Sequence, residues 1–381
     1  ERTPEAYLFN PAGTLVYRGA IDDNHQTPQA VTQHYLRDAI EAVILLVIAR
    51  QTKMALLERA TVLMTALTVV SLLRDWGMFY LADLGTGNTA ILNGNFLTTL
   101  VGAGSLFALS VLNQRLKPVG KNSEGLSSVY RFMGIGLLYV GALFETIDQV
   151  IHLNEGIMVI AVATLTAYYL VALHAWAMIS KNRDFGNVVF SLSMLFFVAL
   201  AISQIMFIGP MREDYLSGYP SGDGFMARFW MTPAVFTVLA LSFVHGRKAY
   251  DKDGNNLLLW GLSIVLVILT SIELDTILAL AGVSGAHAHK IGYPILWGIL
   301  GFGLIAGGMR YKLRHLRLAG LALFLLIIVK LFAYDIRSIP TGGKIAAFIS
   351  LGVVLLVVSF MYQRLKRFVI EYDDVGDTPV E

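Results

Sequence analysis

The chain has 381 residues, 56% of them hydrophobic and only 15% charged, with a mean hydropathy of +0.63. Soluble chains are about a quarter charged, so this balance excludes an ordinary water-soluble globular protein, and a formal charge of +2 excludes the basic excess of a nucleic-acid binder. The absence of cysteine excludes disulfides, iron–sulfur clusters, thiolate zinc sites and dithiol redox chemistry. By composition this is a membrane protein.

The first forty residues carry no lysine- or arginine-led apolar run with a small-residue cleavage pattern, so no cleavable signal peptide is expected. The first residue is Glu rather than Met, as in a processed or trimmed chain. Tyr7-Leu8-Phe9 and Thr14 to Tyr17 are short β-prone runs separated by Asn10-Pro11-Ala12-Gly13, the pattern of a β-hairpin. Thr27 before Pro28 is a helix N-cap candidate, and Val31, Tyr35, Leu36, Ala39, Ile40 and Val43 recur at helical spacing, which predicts an amphipathic helix. The apolar run Ala42 to Ala49 is too short to add a membrane span.

Thr3-Pro4-Glu5-Ala6-Tyr7-Leu8-Phe9-Asn10-Pro11-Ala12-Gly13, followed by Tyr17-Arg18-Gly19-Ala20-Ile21-Asp22-Asp23, resembles the second half of a peroxiredoxin-related thioredoxin-like fold. In that family Thr-Pro is the cis-proline turn. The first β-α-β half and the cysteine pair are missing, so the resemblance implies a remnant over residues 1–45 without redox activity. A hairpin and one helix are too small to fold alone, which predicts a docking or capping element.

From residue 54 onward ten apolar runs are long enough to cross a hydrocarbon core of about 30 Å. They are Ala55 to Leu73, Phe96 to Leu112, Phe132 to Ile151, Ile157 to Ile179, Val188 to Ile208, Phe229 to Val244, Leu257 to Leu280, Ile291 to Met309, Leu318 to Tyr334 and Ile345 to Tyr362. None alternates with period two, which favours helices over a β-barrel. The expected fold is an all-α polytopic membrane protein with a small N-terminal hairpin and helix. Its expected divisions are a remnant over 1–48, a ten-helix membrane domain over 54–367 and an acidic cytoplasmic tail over 368–381.

Basic residues orient the spans, because cytoplasmic loops collect Lys and Arg. Arg50, Lys53 and Arg59 precede span one; Arg115, Lys117, Lys121 and Arg131 follow span two; Lys181 and Arg183 follow span four. Arg247, Lys248 and Lys252 follow span six; Arg310, Lys312, Arg314 and Arg317 follow span eight; Arg364, Lys366 and Arg367 follow span ten. These are nineteen of the 29 basic residues, which predicts both termini in the cytoplasm.

Three spans end alike, in Leu109-Ser110-Val111-Leu112-Asn113-Gln114-Arg115, Leu241-Ser242-Phe243-Val244-His245-Gly246-Arg247 and Val358-Ser359-Phe360-Met361-Tyr362-Gln363-Arg364. Ala142-Leu143-Phe144-Glu145-Thr146-Ile147-Asp148 similarly matches Thr270-Ser271-Ile272-Glu273-Leu274-Asp275-Thr276. The period is four spans, so the repeats are parallel rather than inverted.

Ile295-Leu296-Trp297-Gly298, Leu316 to Phe324, Val329-Lys330-Leu331-Phe332-Ala333-Tyr334-Asp335 and Leu355 to Arg364 resemble the family catalogued as domain of unknown function 2339. Asn93-Gly94-Asn95-Phe96-Leu97-Thr98 is similar to that family's span start. The resemblance, over roughly residues 55 to 367, implies a bacterial inner-membrane multi-pass protein and lends no activity.

Ionisable residues in a span cost about 2.5 to 3.5 kcal/mol each on insertion scales. Here Arg74, Asp75, Glu145, Asp148, Glu273, Asp275, Lys330 and Asp335 fall near the outer ends of spans one, three, seven and nine, with Gln204 at comparable depth in span five. Glu145, Asp148 and His152 lie at i, i+3 and i+7, which predicts one helical face. Two roles are open for this cluster. One is interhelical pairing, such as Lys330 with Glu273 or Arg74 with Glu145; the other is an outward-open polar cavity for a substrate or cation. His287 and His289 in an outer loop add metal-competent donors, yet no ligand motif forms, and no metal, cofactor or catalytic residue is assigned. His174 is expected as a hydrogen-bonded interior histidine, the loop Gly209 to Arg228 as an exposed cap, and Gly303 with Gly307 as a close-packing GxxxG pair. Transport, or a role as membrane subunit of an envelope complex, leads. A membrane-embedded enzyme acting on lipid-linked substrates and a scaffold binding partner helices are the alternatives; the partners are the bilayer and other membrane subunits.

Overall fold

A computed structural model describes residues 5–9, 15–20, 35–82, 94–116, 125–249, 255–283 and 292–333, together with single helical positions at Ile345, Ile349, Gly352 and Leu356. The chain divides into two compact units, Glu1–His245 and Gly246–Glu381. Ten described helices have at least 18 residues, and seven runs are long and apolar enough to cross a membrane by length and composition. The tenth expected span and the Thr27 cap lie outside the described residues, apart from the four single positions.

The first unit begins with β1 (Glu5–Phe9) and β2 (Leu15–Ala20), which pair antiparallel with Glu5 opposite Ala20 and Tyr7 opposite Arg18. Helix α1 (Tyr35–Thr52) turns through Lys53 and Met54 into α2 (Ala55–Ala82), and α3 (Gly94–Arg115) and α4 (Leu126–Val150) follow. The core of these four helices is Ala42, Leu46, Leu72, Trp76, Ala103, Leu106, Leu109, Tyr130 and Leu137. On α4 the buried positions Ser127, Tyr130, Gly134, Leu137, Gly141, Glu145 and Asp148 recur every three or four residues, so a single stripe faces inward. Helices pack closely in lipid where small residues let backbones approach. Accordingly, a Cβ at Gly141 would collide with the Thr99 side chain of α3.

Helix α5 (Glu155–Ser180) is capped by Asn154, whose Oδ1 accepts from Ile157 N at 2.8 Å, and α6 (Arg183–Ser203) by Asn182, which accepts from Phe185 N at 3.0 Å. Span five then continues through a π-helical turn, Gln204–Ile208, into α7 (Gly209–Ser217). Pro210 explains the wide turn. A proline inside an α-helix offers no N–H and clashes with the carbonyl four residues back; widening the turn to an i→i−5 bond, Gly209 N to Gln204 O, relieves both. Only glycine fits there, since a Cβ at 209 would lie 2.8 Å from that carbonyl. Two 3₁₀ turns, Pro220–Gly222 and Phe225–Ala227, lead into α8 (Arg228–Ala249).

The second unit contains α9 (Asn255–Leu280), α10 (Tyr293–Arg310) and α11 (Arg314–Ala333). Trp297 Nε1 on α10 donates to Ser271 Oγ on α9 at 2.9 Å. Close packing of α10 on α11 uses Gly301, Gly308 and Gly320: a Cβ at 320 would lie 2.6 Å from Gly301 O, and one at 308 would lie 2.7 Å from Arg317 Cγ. The expected pair Gly303 and Gly307 is not the packed one. Both point to open space, because the buried face of α10 runs through Gly301, Leu304, Ile305 and Gly308.

Candidate functional site

At the ends of α2, α3 and α4 opposite the Lys53 turn, Trp76 Nε1 donates to Thr99 Oγ1 at 3.0 Å and the Trp76 ring tilts on Phe144 at 5.8 Å. The next residues on α4's inward stripe are Glu145, 6% exposed, and Asp148, 3% exposed, with Gln149 Nε2 3.4 Å from Glu145 Oε1. These two carboxylates are the part of the predicted cluster that the first unit brings together. Arg74 is exposed on α2 while Glu145 is buried, so the two charges occupy different environments. His152 does not extend the face of Glu145 and Asp148: α4 stops at Val150, and His152 is exposed on the turn beyond. Gln204 is buried in the π turn. In the second unit Glu273 and Asp275 are half-buried on α9, and Lys330 is half-buried near the end of α11. The Asp75 side chain, Asp335, His287 and His289 lie outside the described residues. Among the described residues no three His, Asp or Glu side chains converge as a metal site.

The segment expected as an exposed loop, Gly209 to Arg228, is a folded cap. Met211, Gly222, Phe225 and Arg228 are buried within it, and the Arg228 guanidinium lies 5.4 Å from the Phe225 ring centre. Asn154 ties it to α5: while Oδ1 caps the helix, Nδ2 donates to Asp223 O at 3.0 Å and to Ser221 O at 3.3 Å. Ser221 Oγ donates to Asp214 Oδ2 at 2.8 Å. Glycines make the folding possible, since a Cβ at Gly222 would strike the Tyr215 backbone and one at Gly224 would sit 2.5 Å from Ile157 Cδ1.

Two buried polar clusters lie at the opposite helix ends, and of their residues the sequence marked His174 as interior. Arg50 of α1 bonds Glu58 of α2 at 2.8 Å, both nearly inaccessible, and also donates to Asn113 Oδ1 of α3. Ser110 Oγ on α3 donates to Ser127 O at 2.8 Å, and Ser127 Oγ returns a bond to Ser110 O at 3.1 Å. In the second cluster His174, fully buried on α5, faces His245 of α8 with their Nδ1 atoms 2.9 Å apart. His174 Nε2 lies 2.9 Å from Ser193 Oγ and 3.3 Å from Ser242 Oγ. Ser193 gives its own proton to Val189 O, so it accepts from His174 Nε2–H; neutral His174 then accepts at Nδ1 the proton that His245 carries. His174 is thus an interior, hydrogen-bonded histidine. The similar endings of spans two and six carried a further signal: Ser110 with Asn113, and Ser242 with His245, are serines followed three residues later by a polar group, and all four are buried.

No curated protein and no solved structure matches the chain. A family profile described as predicted membrane protein, DUF2339, matches residues 6–365. That match begins within β1 and takes in the hairpin and α1, and no comparison supports the thioredoxin-like reading of residues 1–45. A short string of turn residues between two apolar runs is shared by many hairpins, so it does not by itself carry that resemblance. With nearly all of its length matched, and seven membrane-length apolar runs among its described residues, the chain belongs to the DUF2339 family of predicted multi-pass membrane proteins of unknown function.

Proposed function

We propose that the protein is a membrane subunit of an envelope complex in the bacterial inner membrane, with its basic loops and C-terminal end in the cytoplasm. The observation that carries this reading is how the buried polar groups of the first unit are occupied. Arg50 is taken by Glu58 and Asn113, the two histidines by each other and by serines, and Trp76 by Thr99. Between α1, α2 and α3 the crevice lined by Ala42, Thr68, Leu72 and Gly102 has a volume of ≈ 10 Å³, about the space of one water. Such paired groups hold helices in register, and that crevice is too small for a solute larger than water. At the other end the cap's Tyr219 and Met226 and the first turn of α8 with Trp230, 74% exposed, display a surface for neighbouring membrane components. The test places a photo-crosslinking amino acid at Tyr219 and at Trp230 in cells. A discrete adduct with another membrane protein is expected; a protein that migrates alone after crosslinking at both positions overturns the subunit reading.

A second reading, cation transport, draws on Glu145 and Asp148, because carboxylates are retained at membrane depth where they serve a pathway. In proteoliposomes it requires a proton or sodium flux that Glu145→Gln or Asp148→Asn abolishes. Flux-tight vesicles favour the subunit.

A further inference from the structure

Helix α1 contains Arg37, Asp38, Glu41 and Arg50 within 18 residues, so its sequence does not read as a span. Its packing does. Arg50 meets Glu58 near the start of α2, whereas Ala42, two turns earlier, shares a crevice with Thr65, Thr68, Val69 and Leu72. Ala42 and Leu46 also belong to the core that contains Trp76, Ala103 and Leu106. Thus α1 runs back along α2 at the level of the membrane-length run Leu56–Arg74. At 1.5 Å per residue its 18 residues rise about 27 Å, against a hydrocarbon core of about 30 Å. The face that α1 leaves open is Ile40, Ile44 and Ile48, apolar at four-residue intervals, beside the exposed Leu63, Leu67 and Val70 of α2. Of its charges, Arg50 is neutralised by Glu58 within the protein, and Glu41 is half-buried.

An independent observation comes from the turns. The turn from α1 to α2 holds Lys53 at φ 56°, the turn from α5 to α6 holds Lys181 at φ 53°, and the turn from α10 to α11 holds Lys312 at φ 58°. After the first and third, the next amide reaches back five residues, Met54 N to Ala49 O at 3.2 Å and Leu313 N to Gly308 O at 2.8 Å. Lysine in the left-handed region is uncommon, yet it recurs here with the four-span period. In that alignment α1 corresponds to α5, whose run Glu155–Ser180 is of membrane length, and to α10.

We propose that α1 crosses the bilayer as the first copy of a helix–lysine turn–helix hairpin, with lipid hydrocarbon against Ile40, Ile44 and Ile48. The residues ahead of Tyr35 then stand on the opposite side of the membrane from Lys53, in contrast to the placement expected from basic residues alone. The natural absence of cysteine makes the test clean. Asp22→Cys, Asn24→Cys, Gln51→Cys and Ile44→Cys are each expressed singly in the full chain, and sealed right-side-out vesicles are treated with a membrane-impermeant maleimide before and after permeabilisation. Labelling at residue 22 or 24 in sealed vesicles, labelling at 51 only after permeabilisation, and no labelling at 44 until denaturation are expected. The mirror-image pattern would keep the crossing and reverse the assigned sides. Residues 22, 24 and 51 reacting from the same side, or Ile44→Cys reacting in native membranes, overturns the proposal. Neither result depends on whether a partner crosslinks to the cap.

Discussion

Among the described residues, two sets of turns hold the same left-handed backbone and fill it differently. Lys53, Lys181 and Lys312 have φ between 53° and 58°, whereas Gly218, Gly224 and Gly282 have φ between 74° and 82°. The hydrogen bonding can be identical: Tyr219 N to Asp214 O and Val283 N to Leu278 O, each 2.9 Å, repeat across the glycine turns the bond that Leu313 makes across a lysine turn. A side chain in this region costs roughly 1–2 kcal/mol, so lysine needs a return. At a helix C-terminus an ammonium gains roughly 0.3–1 kcal/mol from the dipole, and on the basic face of a membrane protein it also opposes translocation of the turn. At Gly224, by contrast, the nearby Ile157 leaves no space for a side chain. The difference teaches that one left-handed turn geometry admits an exposed lysine as well as a glycine, and that only a close neighbour, as at Gly224, makes glycine obligatory.

The largest expected effect tests what holds the first lysine turn. Glu58→Gln leaves Arg50 buried without its counter-ion and is expected to cost about 3–5 kcal/mol, read as a lowered midpoint of thermal unfolding in detergent; the double variant Arg50→Met/Glu58→Met recovers most of that loss. Next is a transplant across the two sets of turns. Gly224→Lys carries the left-handed cost and a clash worth about 1–3 kcal/mol more, so the cap Gly209 to Arg228 is expected to become protease-sensitive while the span cores stay protected. The smallest effect runs the other way. Lys181→Gly is expected to stay within about 1 kcal/mol of the parent, whereas Lys181→Val, β-branched at positive φ, is expected to unfold at lower temperature than either. A Gly224→Lys protein as stable as the parent, or a Lys181→Val protein equal to Lys181→Gly, would break the comparison.

The apolar spans were legible because a run such as Ile157 to Ile179 has no soluble explanation at that length. The packing of helix α1 was not, since four ionisable residues interrupt its apolar pattern and only Glu58 and Asn113, on other helices, explain one of them. The glycine pairing in α10 failed for a related reason: with glycines at 298, 301, 303, 307 and 308 several small-residue registers coexist, and only the opposite face of α11 selects 301 and 308. The cap read as a loop because Pro210, Gly218, Pro220 and Gly224 are turn formers, yet the stretch between the first two makes a helix. Of the site, Glu145 and Asp148 were visible as charges in an apolar span. The partner of His174 lies 71 residues away, and nothing in the sequence joined the two.

The π turn ahead of Pro210 also sets the phase of the helix beyond it. Buried Leu200, Gln204 and Ile208 are spaced by four, which drifts around an α-helix of 3.6 residues per turn and stays in line when one turn is widened. The inserted residue works as an angular spacer that brings Met211 round to Gly156 and lets the cap close over α5. Deleting Ile205, which is 78% exposed and touches the core least, would remove no packing of consequence. It would rotate everything beyond it by about 100° and turn the cap's buried side away from α5.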